Sequence, residues 1–196
     1  MKSLLFFSLL VAAFTIKADT LPIGADMPKK DVKIKDVSGK IVTLKEAMSA
    51  NGLLVMFSCN TCPYVIKNQQ RTNDICKYAQ SRNMGVVILN SNEGNRSSSE
   101  SLIEMQEYAK AQGYHWLYAV DSGNEIADAF GANRTPECFL FDKNAKLVYH
   151  GAIDDNPADQ SSVQRNHLKE AMTELTSGKD VSVKQSRSVG CAIKRD

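Results

Sequence analysis

The sequence predicts an α/β sandwich built on a mixed β-sheet. Apolar runs of strand length alternate along the chain with amphipathic segments of helix length, and the series closes with a hairpin and a helix. The 196 residues are enough for one domain with a substantial core and too few to promise two. Because no internal repeat and no second domain is visible, we expect one domain.

The first eighteen residues are expected to be a secretory signal peptide. Lys2 precedes an apolar run from Leu4 to Phe14, and Ala18 is a small residue suited to cleavage. This run falls short of the roughly 20 apolar residues that span a bilayer, so an uncleaved anchor is the weaker alternative. We therefore expect a periplasmic or secreted protein without a stable membrane span, with a domain over residues 19–180 and a C-terminal tail over 181–196.

The charge balance argues against nucleic acid or an anionic membrane as the main partner. Removal of the first eighteen residues takes two lysines from the 24 basic residues, which leaves 22 against 22 acidic ones, and no long run of like charge remains. The five cysteines are an odd number and too few for a disulfide-stapled scaffold, although export would permit disulfides. We therefore interpret the cysteines one by one.

The N-terminal half predicts a hairpin, a buried strand and a helix. After an extended lead-in over residues 19–30, residues 31–44 alternate apolar and polar side chains about a Ser-Gly turn, which is typical of a β-hairpin. The apolar run 53–57 predicts a strand that is covered on both faces. Pro63 suits the first turn of a helix, whose inner face would carry Val65, Ile66, Gln69, Thr72, Ile75, Cys76 and Ala79.

The C-terminal half continues the alternation. Residues 85–89 predict a buried strand, and after a polar loop the pair Ser97 and Glu100 forms a capping-box pattern for a helix that reaches about Ala111. Three further strands are expected at 116–121, 138–142 and 147–153, and a short helix is expected at 124–132. A last amphipathic helix is predicted from about Ser161 to Thr176, with Val163, His167, Leu168, Ala171, Met172 and Leu175 inward and Gly178 as its stop.

The stretch "MFSCNTCPYV", residues 56–65, carries the most informative chemistry. Two cysteines at this spacing can form a redox pair, half of a metal site, or one reactive thiol with a neighbour. Cys62 precedes Pro63 at the expected start of a helix, where free backbone N–H groups lower a thiol pKa from about 8.5. Cys59 lies three residues upstream, close enough to form a disulfide with Cys62 or to attack a sulfenic acid there.

Three stretches make the chain resemble the thioredoxin superfamily, and more closely its peroxiredoxin-like branch of AhpC/TSA or redoxin type. They are the strand, cysteine and helix of "LLVMFSCNTCPYV", the Thr-Pro of "RTPECFLFD", and the closing hairpin "FDKNAKLVYHGAIDD". The tail "VGCAIK" also looks like one found in peroxiredoxin-like proteins. The resemblance implies a thioredoxin-like sandwich, with a central mixed sheet flanked by helices and the N-terminal hairpin as an extension.

The resemblance also implies roles for individual residues. Counted from the end of its strand, the nucleophile of this superfamily falls on Cys62, and Cys59 stands where peroxiredoxins carry the threonine of Thr-x-x-Cys-Pro. Thr135 and Pro136 match the cis-proline segment that binds substrate backbone. The arginine of the peroxidase site falls on Pro136, which leaves Arg134 as the nearest candidate to orient a peroxide or another anion. The missing threonine hydroxyl favours disulfide exchange over peroxidase activity.

The other cysteines and the histidines have more ordinary interpretations. Cys76 and Cys138 are expected to be small core residues. Cys191 lies in a polar tail, and it is a candidate resolving or intermolecular thiol, a plain disulfide partner or an incidental residue. The three histidines, His115, His150 and His167, form no second ligand motif with the cysteines, so no metal site is expected.

These observations predict an exported thiol-disulfide oxidoreductase in which Cys62 attacks a disulfide or a peroxide, Cys59 resolves the intermediate, and Thr135 and Pro136 orient the substrate. The expected partners are disulfide-containing proteins or small peroxides, together with a separate thiol reductant. No cofactor is expected, because no flavin or nicotinamide motif is present. Two alternatives remain: an antioxidant thiol peroxidase with Cys191 as the resolving cysteine, and a non-catalytic module that binds copper or thiol ligands.

Overall fold

A seven-stranded mixed sheet forms the centre of the protein. The computed structural model describes residues 20–195, so the predicted signal peptide lies outside the described residues. The strands of this sheet are β1 (Ile34–Asp36), β2 (Ile41–Val42), β3 (Leu53–Ser58), β4 (Gly85–Asn90), β5 (Leu117–Val120), β7 (Glu137–Phe141) and β8 (Leu147–Gly151), and β6 (Arg134–Thr135) belongs to a second, smaller sheet. Across the large sheet they follow the order β2-β1-β5-β4-β3-β7-β8, in which β3, β4 and β5 run parallel and the outer pairs are antiparallel.

Helices cover both faces of this sheet and give two apolar cores. The helices are α1 (Leu44–Ala47), α2 (Pro63–Lys67), α3 (Gln69–Ser81), α4 (Leu102–Gln112), α5 (Glu125–Phe130) and α6 (His167–Thr176). On the central strand β3, Leu54 and Met56 pack with α3, α4 and α6, whereas Val55 and Phe57 pack with α1 and α5. This alternation follows from the pleat of a strand that is buried on both faces, and it confirms the predicted sandwich on a mixed sheet.

The helix predicted after Pro63 is divided into two. α2 ends at Lys67 and α3 begins at Gln69, with Asn68 between them at φ −93° and ψ 2°. The Asn68 side-chain amide donates to the carbonyl oxygens of Tyr64 and Pro157, which fixes the break. Ile66, predicted to face inward, is 57% exposed, and Val65 is the buried residue of the short first segment.

Two helices begin later than their sequence patterns predict. α4 begins at Leu102, and its cap is Ser101, whose hydroxyl accepts a hydrogen bond from the backbone N–H of Glu104. A second Ser-x-x-Glu motif thus replaces the predicted one at Ser97 and Glu100, which lies in turns. α6 begins at His167 and not near Ser161, so the residues before it form a short 3₁₀ turn and a loop.

The segment set apart as a C-terminal tail returns to the domain. Val181 and Ile193 are buried, and β9 (Cys191–Ala192) pairs antiparallel with β6 (Arg134–Thr135). This small second sheet puts the end of the chain beside the loop that follows β3. Among residues 20–195, none of the helices is long and apolar enough to cross a membrane.

Candidate active site

Cys59 and Cys62 lie in the turn between the central strand and the helix that follows it. β3 ends at Ser58, and Cys62 is the N-cap residue of α2, directly before Pro63 in the first helical turn. The four free N–H groups of a helix start make this position favourable for a negative charge. The site is nearly closed to solvent, because Cys62 is 4% exposed and Cys59 is 1% exposed.

A third cysteine meets this pair. Cys191 lies in β9 directly across from Thr135, and it packs with Cys59, Cys62 and Val65 in one small cluster. All three cysteines of the cluster are free thiols in this structure. The lone cysteine of the sequence tail is thus part of the same site as the CxxC pair.

Thr135 contacts both cysteines of the pair. The Cys62 thiol donates to the Thr135 carbonyl oxygen at 3.2 Å, and the Thr135 hydroxyl lies 3.5 Å from the Cys59 sulfur. The peptide bond between Thr135 and Pro136 is cis, and Thr135 is 1% exposed. The structure therefore brings the two predicted substrate-binding residues next to the two predicted catalytic ones.

The surroundings of Cys62 favour its ionised form and lower the pKa of its thiol to about 4. The largest cause is a hydrogen bond from the Cys59 thiol to the ionised sulfur, and burial opposes it. The Cys191 thiol and the backbone N–H groups of Val65 and Cys191 also stabilise the thiolate. The contact with the Thr135 carbonyl belongs to the protonated thiol, because a carbonyl oxygen can only accept; after ionisation the sulfur is left with the donors.

The two neighbouring thiols stay protonated. The pKa of Cys59 is raised, first because its hydrogen is held by the Cys62 sulfur and second because the side chain is buried. The pKa of Cys191 is raised by burial and by its own hydrogen bond to Cys62. The directions of these shifts favour ionisation of Cys62 over that of its two neighbours, and a thiolate is the nucleophilic form of cysteine.

The buried carboxylate of Glu100, which the sequence analysis interpreted only as a helix-capping residue, holds the loop between the two cysteines. One oxygen of Glu100 accepts from the backbone N–H of Asn60 at 2.9 Å and from the Asn90 amide at 2.7 Å. Its other oxygen accepts from the Thr61 hydroxyl at 2.8 Å, and Glu100 has no exposed surface. The only available signal in the sequence was the repeated Ser-x-x-Glu motif, which left one of the two glutamates free for another role.

Further polar contacts fix the same loop. The Asn60 amide donates to the Ser99 carbonyl at 2.9 Å, and its oxygen accepts from the Tyr118 hydroxyl at 2.7 Å. Asn60 is thus held through its backbone and through both polar atoms of its side chain. Such a fully satisfied buried network keeps the residues between Cys59 and Cys62 in a single conformation.

Arg134 does not share this arrangement. Its side chain is exposed and donates to the Gly190 carbonyl oxygen at 3.2 Å. Successive residues of a strand point to opposite faces, so Arg134 points away from the face on which Thr135 meets the thiols. It lines a separate groove together with Arg187 and Arg195. Its contacts therefore give no support to a peroxide-orienting role.

The remaining candidates lie outside the thiol cluster. Cys76 and Cys138 are fully buried in the apolar core. The His150 imidazole pairs with Glu137 at 2.8 Å. Within residues 20–195, no group of three or more His, Cys, Asp or Glu side chains is arranged to hold a metal ion.

Comparison with known proteins shows which family the chain belongs to. A family model described as Redoxin matches residues 22–166. The thiol-disulfide oxidoreductase ResA of Bacillus thuringiensis subsp. konkukian (strain 97-27) is 24% identical over 142 residues, which are 72% of this chain and 76% of the relative.

Two solved structures illustrate the range of similar folds. A hypothetical protein from Sinorhizobium meliloti 1021 superimposes with a TM-score of 0.81 at 32% identity, over 91% of this chain and 97% of the other. Peroxidoxin BcpB from Mycobacterium tuberculosis superimposes with a TM-score of 0.53 at 15% identity, over 64% of this chain and 82% of the other, and shares the fold. The chain therefore belongs to the Redoxin family and has the thioredoxin-like fold that its sequence predicts.

Proposed function

We propose that this protein is a thiol-disulfide oxidoreductase with Cys62 as its nucleophile and Cys59 as its resolving thiol. The observation that carries the proposal is the position of Cys62 at the N-cap of α2, with the Cys59 and Cys191 thiols packed in the same cluster. This arrangement lowers the pKa of Cys62 and raises that of Cys59. Cys62 is then the thiol that attacks as a thiolate, and Cys59 stays protonated until the second step. Similarity to a relative named as a thiol-disulfide oxidoreductase supports the same reaction class.

The reaction proceeds by two exchanges. The Cys62 thiolate attacks one sulfur of a substrate disulfide, so that a mixed disulfide forms and the other substrate sulfur leaves as a thiolate. Cys59 then loses its proton, attacks the Cys62 sulfur and displaces the second substrate thiol. The substrate gains two electrons, and Cys59 and Cys62 become a disulfide. A separate thiol reductant returns that disulfide to two thiols.

The first step prepares the second. The largest cause of the raised Cys59 pKa is its hydrogen bond to the Cys62 thiolate, and that charge disappears when Cys62 enters a mixed disulfide. The Thr135 hydroxyl, 3.5 Å from the Cys59 sulfur, then remains as a donor that stabilises the Cys59 thiolate. Cys59 therefore becomes easier to ionise at the moment when its attack is needed.

A peroxidase that uses Cys191 is the second candidate, and the hydrogen bond between Cys191 and Cys62 favours it. In that reaction Cys62 takes one oxygen from a peroxide and becomes a sulfenic acid, the peroxide leaves as an alcohol or water, and the Cys191 thiol condenses with the sulfenic acid to give a disulfide and water. The copper-binding alternative has no comparable observation in its favour, and the expectation of no metal stays a prediction.

Mapping the disulfide separates these functions. We expect the oxidised protein to hold a Cys59 to Cys62 bond by mass spectrometry, and we expect Cys191→Ser to keep disulfide exchange while Cys59→Ser stops at the mixed disulfide. A Cys62 to Cys191 bond with rapid peroxide consumption would support the peroxidase instead. Exchange that survives in Cys62→Ser would rule out both.

Export remains part of the proposal. It rests on the charged start, the short apolar run and Ala18 in the first eighteen residues. An extracytoplasmic location fits a reaction whose substrates are disulfides, which persist outside the cytosol. Fractionation of cells that express the full chain, with N-terminal sequencing of the product, tests both the location and the cleavage after Ala18.

A further inference from the structure

The strand edge beside Cys62 is already occupied by the protein itself. The Thr135 carbonyl lies 3.2 Å from the Cys62 sulfur, so the edge of β6 at Thr135 is a strand edge beside this sulfur on which an extended polypeptide could pair. Extended polypeptides bind a sheet edge by adding a strand and using its backbone hydrogen bonds. In this chain β9 takes that place, with Cys191 opposite Thr135 and Ala192 opposite Arg134.

β9 is held on both sides of Cys191. Upstream, the Ser186 N–H donates to the His150 carbonyl at 3.0 Å. Downstream, the Ile193 N–H donates to the Asn133 carbonyl at 3.1 Å, and Ile193 is buried. Because the chain is hydrogen-bonded to the domain on both sides of β9, this strand is held in place beside the thiols.

The fit between β9 and β6 leaves no room for another chain. A Cβ atom added to Gly190 would lie 2.1 Å from the Thr135 carbonyl oxygen, far inside van der Waals contact. Glycine is therefore needed at this position for the two backbones to approach so closely. The 4% exposure of Cys62 shows that, with β9 in this position, little of the residue is accessible from solvent.

We propose that the substrates of this site are low-mass disulfides and that disulfides within extended polypeptides are excluded by β9. This inference rests on the proposed function, with Cys62 as nucleophile. The chemistry is the exchange given above: Cys62 forms a mixed disulfide with one half of the small molecule, the other half leaves as a thiolate, and Cys59 displaces the first half. The molecule is reduced to two thiols, and the Cys59 and Cys62 thiols are oxidised to a disulfide.

Two matched substrates test the exclusion. Both carry the same mixed disulfide of cysteine and thionitrobenzoate, one on N-acetylcysteine and one in the middle of a short extended peptide. Release of thionitrobenzoate by the reduced full-length protein gives a rate for each, and reaction of each with free dithiothreitol corrects for intrinsic reactivity. We expect the corrected rate to be about tenfold or more higher for N-acetylcysteine. Equal corrected rates would overturn the proposal.

Gly190→Ala tests whether β9 is what excludes the peptide, because the added methyl group pushes β9 away from Thr135. We expect the ratio of the two rates to fall by about threefold or more, through a gain for the peptide. Arg187→Ala is the matched control, since it changes an exposed side chain of the same segment and leaves β9 in place. A rise of both rates by the same factor in Gly190→Ala would contradict the proposal.

A second variant, Arg195→Ala, tests the same point if Gly190→Ala does not fold. Arg195 lies near the chain end and pairs with Asp128 at 2.9 Å on the exposed side, so Arg195→Ala loosens β9 without a clash. We expect it to move the rate ratio in the same direction by a smaller factor.

Cys62→Ser separates this inference from the proposed function. If thionitrobenzoate release from both substrates stops in Cys62→Ser while the wild type does not discriminate between them, only the exclusion fails. If release from both persists in Cys62→Ser, the proposed function fails as well.

Discussion

Cys62 and Cys76 are the same residue type in two regions of one small protein, but the pKa values of their thiols are shifted in opposite directions. Cys76 is fully buried on the inner face of α3 among apolar side chains, and burial alone raises the pKa of its thiol. Cys62 is 4% exposed, yet the pKa of its thiol falls to about 4. Burial alone therefore does not set the pKa of every thiol in this protein. The hydrogen-bond donors that face the Cys62 sulfur lower its pKa, and only burial acts on the pKa of Cys76.

The two regions are also held together by different forces. The neighbours of Cys76 are apolar core residues. Their burial stabilises the fold, but the hydrophobic effect does not fix the orientation of a side chain. Between Cys59 and Cys62 the chain is fixed by hydrogen bonds to the buried carboxylate of Glu100. Directional contacts can hold a thiol against its donors, whereas apolar packing can only exclude water from it.

The largest expected effect is the loss of activity in Cys62→Ser. A serine hydroxyl is not ionised at neutral pH, so disulfide exchange should fall by about a thousandfold or more. Cys76→Ala should stay within about twofold of the wild type, since Cys76 is remote from the donors at the site. Single-turnover exchange with a low-mass disulfide measures both, and similar losses in the two variants would remove the distinction between the regions.

Glu100→Ala tests whether the buried carboxylate stabilises the loop between Cys59 and Cys62. The change leaves the buried N–H of Asn60 and the buried amide of Asn90 without this acceptor, at about 1 to 3 kcal/mol for each group. The hydroxyl of Thr61, which is exposed, can turn to water instead. We expect the free energy of unfolding to fall by about 3 kcal/mol in urea denaturation, and we expect a smaller loss in Glu100→Gln, which keeps one oxygen. Glu104→Gln, exposed in the first turn of α4, is the control and should change stability by less than about 0.5 kcal/mol. An equal loss in Glu104→Gln would show that the carboxylate network is not the cause.

Removal of the thiol donors should raise the pKa of Cys62. Cys59→Ala removes the largest cause of the low pKa and should raise it by about one unit or more, because a hydrogen bond to a charged group is worth about 1.5 to 3 kcal/mol. Cys191→Ala removes a weaker donor and should raise it by less. The midpoint of the alkylation rate against pH measures each shift. An unchanged midpoint in Cys59→Ala would contradict the assignment of that donor.

The smallest effect is expected in the core region. Cys138 is fully buried on β7 across from Met56, and Cys138→Ala leaves a small cavity. The free energy of unfolding should fall by about 1 kcal/mol, and the alkylation midpoint of Cys62 should not move. A large shift of that midpoint would show that the two regions are coupled through β3.

The architecture was predictable because apolar patterns encode it directly. Continuous runs such as 53–57 and 85–89 have the length and composition of strands buried on both faces, and the helices between them follow from their period. The ends of the helices were less predictable. At Asn68 the break depends on a hydrogen bond to the distant Pro157 carbonyl, and such a contact has no local sequence signal.

The candidate site was predictable where it is local and unpredictable where it depends on the fold. Cys59, Cys62 and the Thr135 to Pro136 pair stand out in the sequence, and the structure brings them together. The position of Cys191 depends on the pairing of β9 with β6, between residues more than fifty positions apart in the chain. The same holds for Glu100, whose partners Asn60 and Thr61 are 40 and 39 residues away.

The pH dependence of Cys62 alkylation tests the central claim most directly. The thiolate is the form that reacts, so its rate with iodoacetamide should rise with pH through the thiol pKa and level off above it. With mass-spectrometric quantification of each cysteine in the reduced wild type, the account predicts a midpoint near pH 4 for Cys62 and no comparable labelling of Cys59, Cys76 or Cys138 at neutral pH. A midpoint near the ordinary thiol value of about 8.5, or labelling of Cys59 ahead of Cys62, would contradict it.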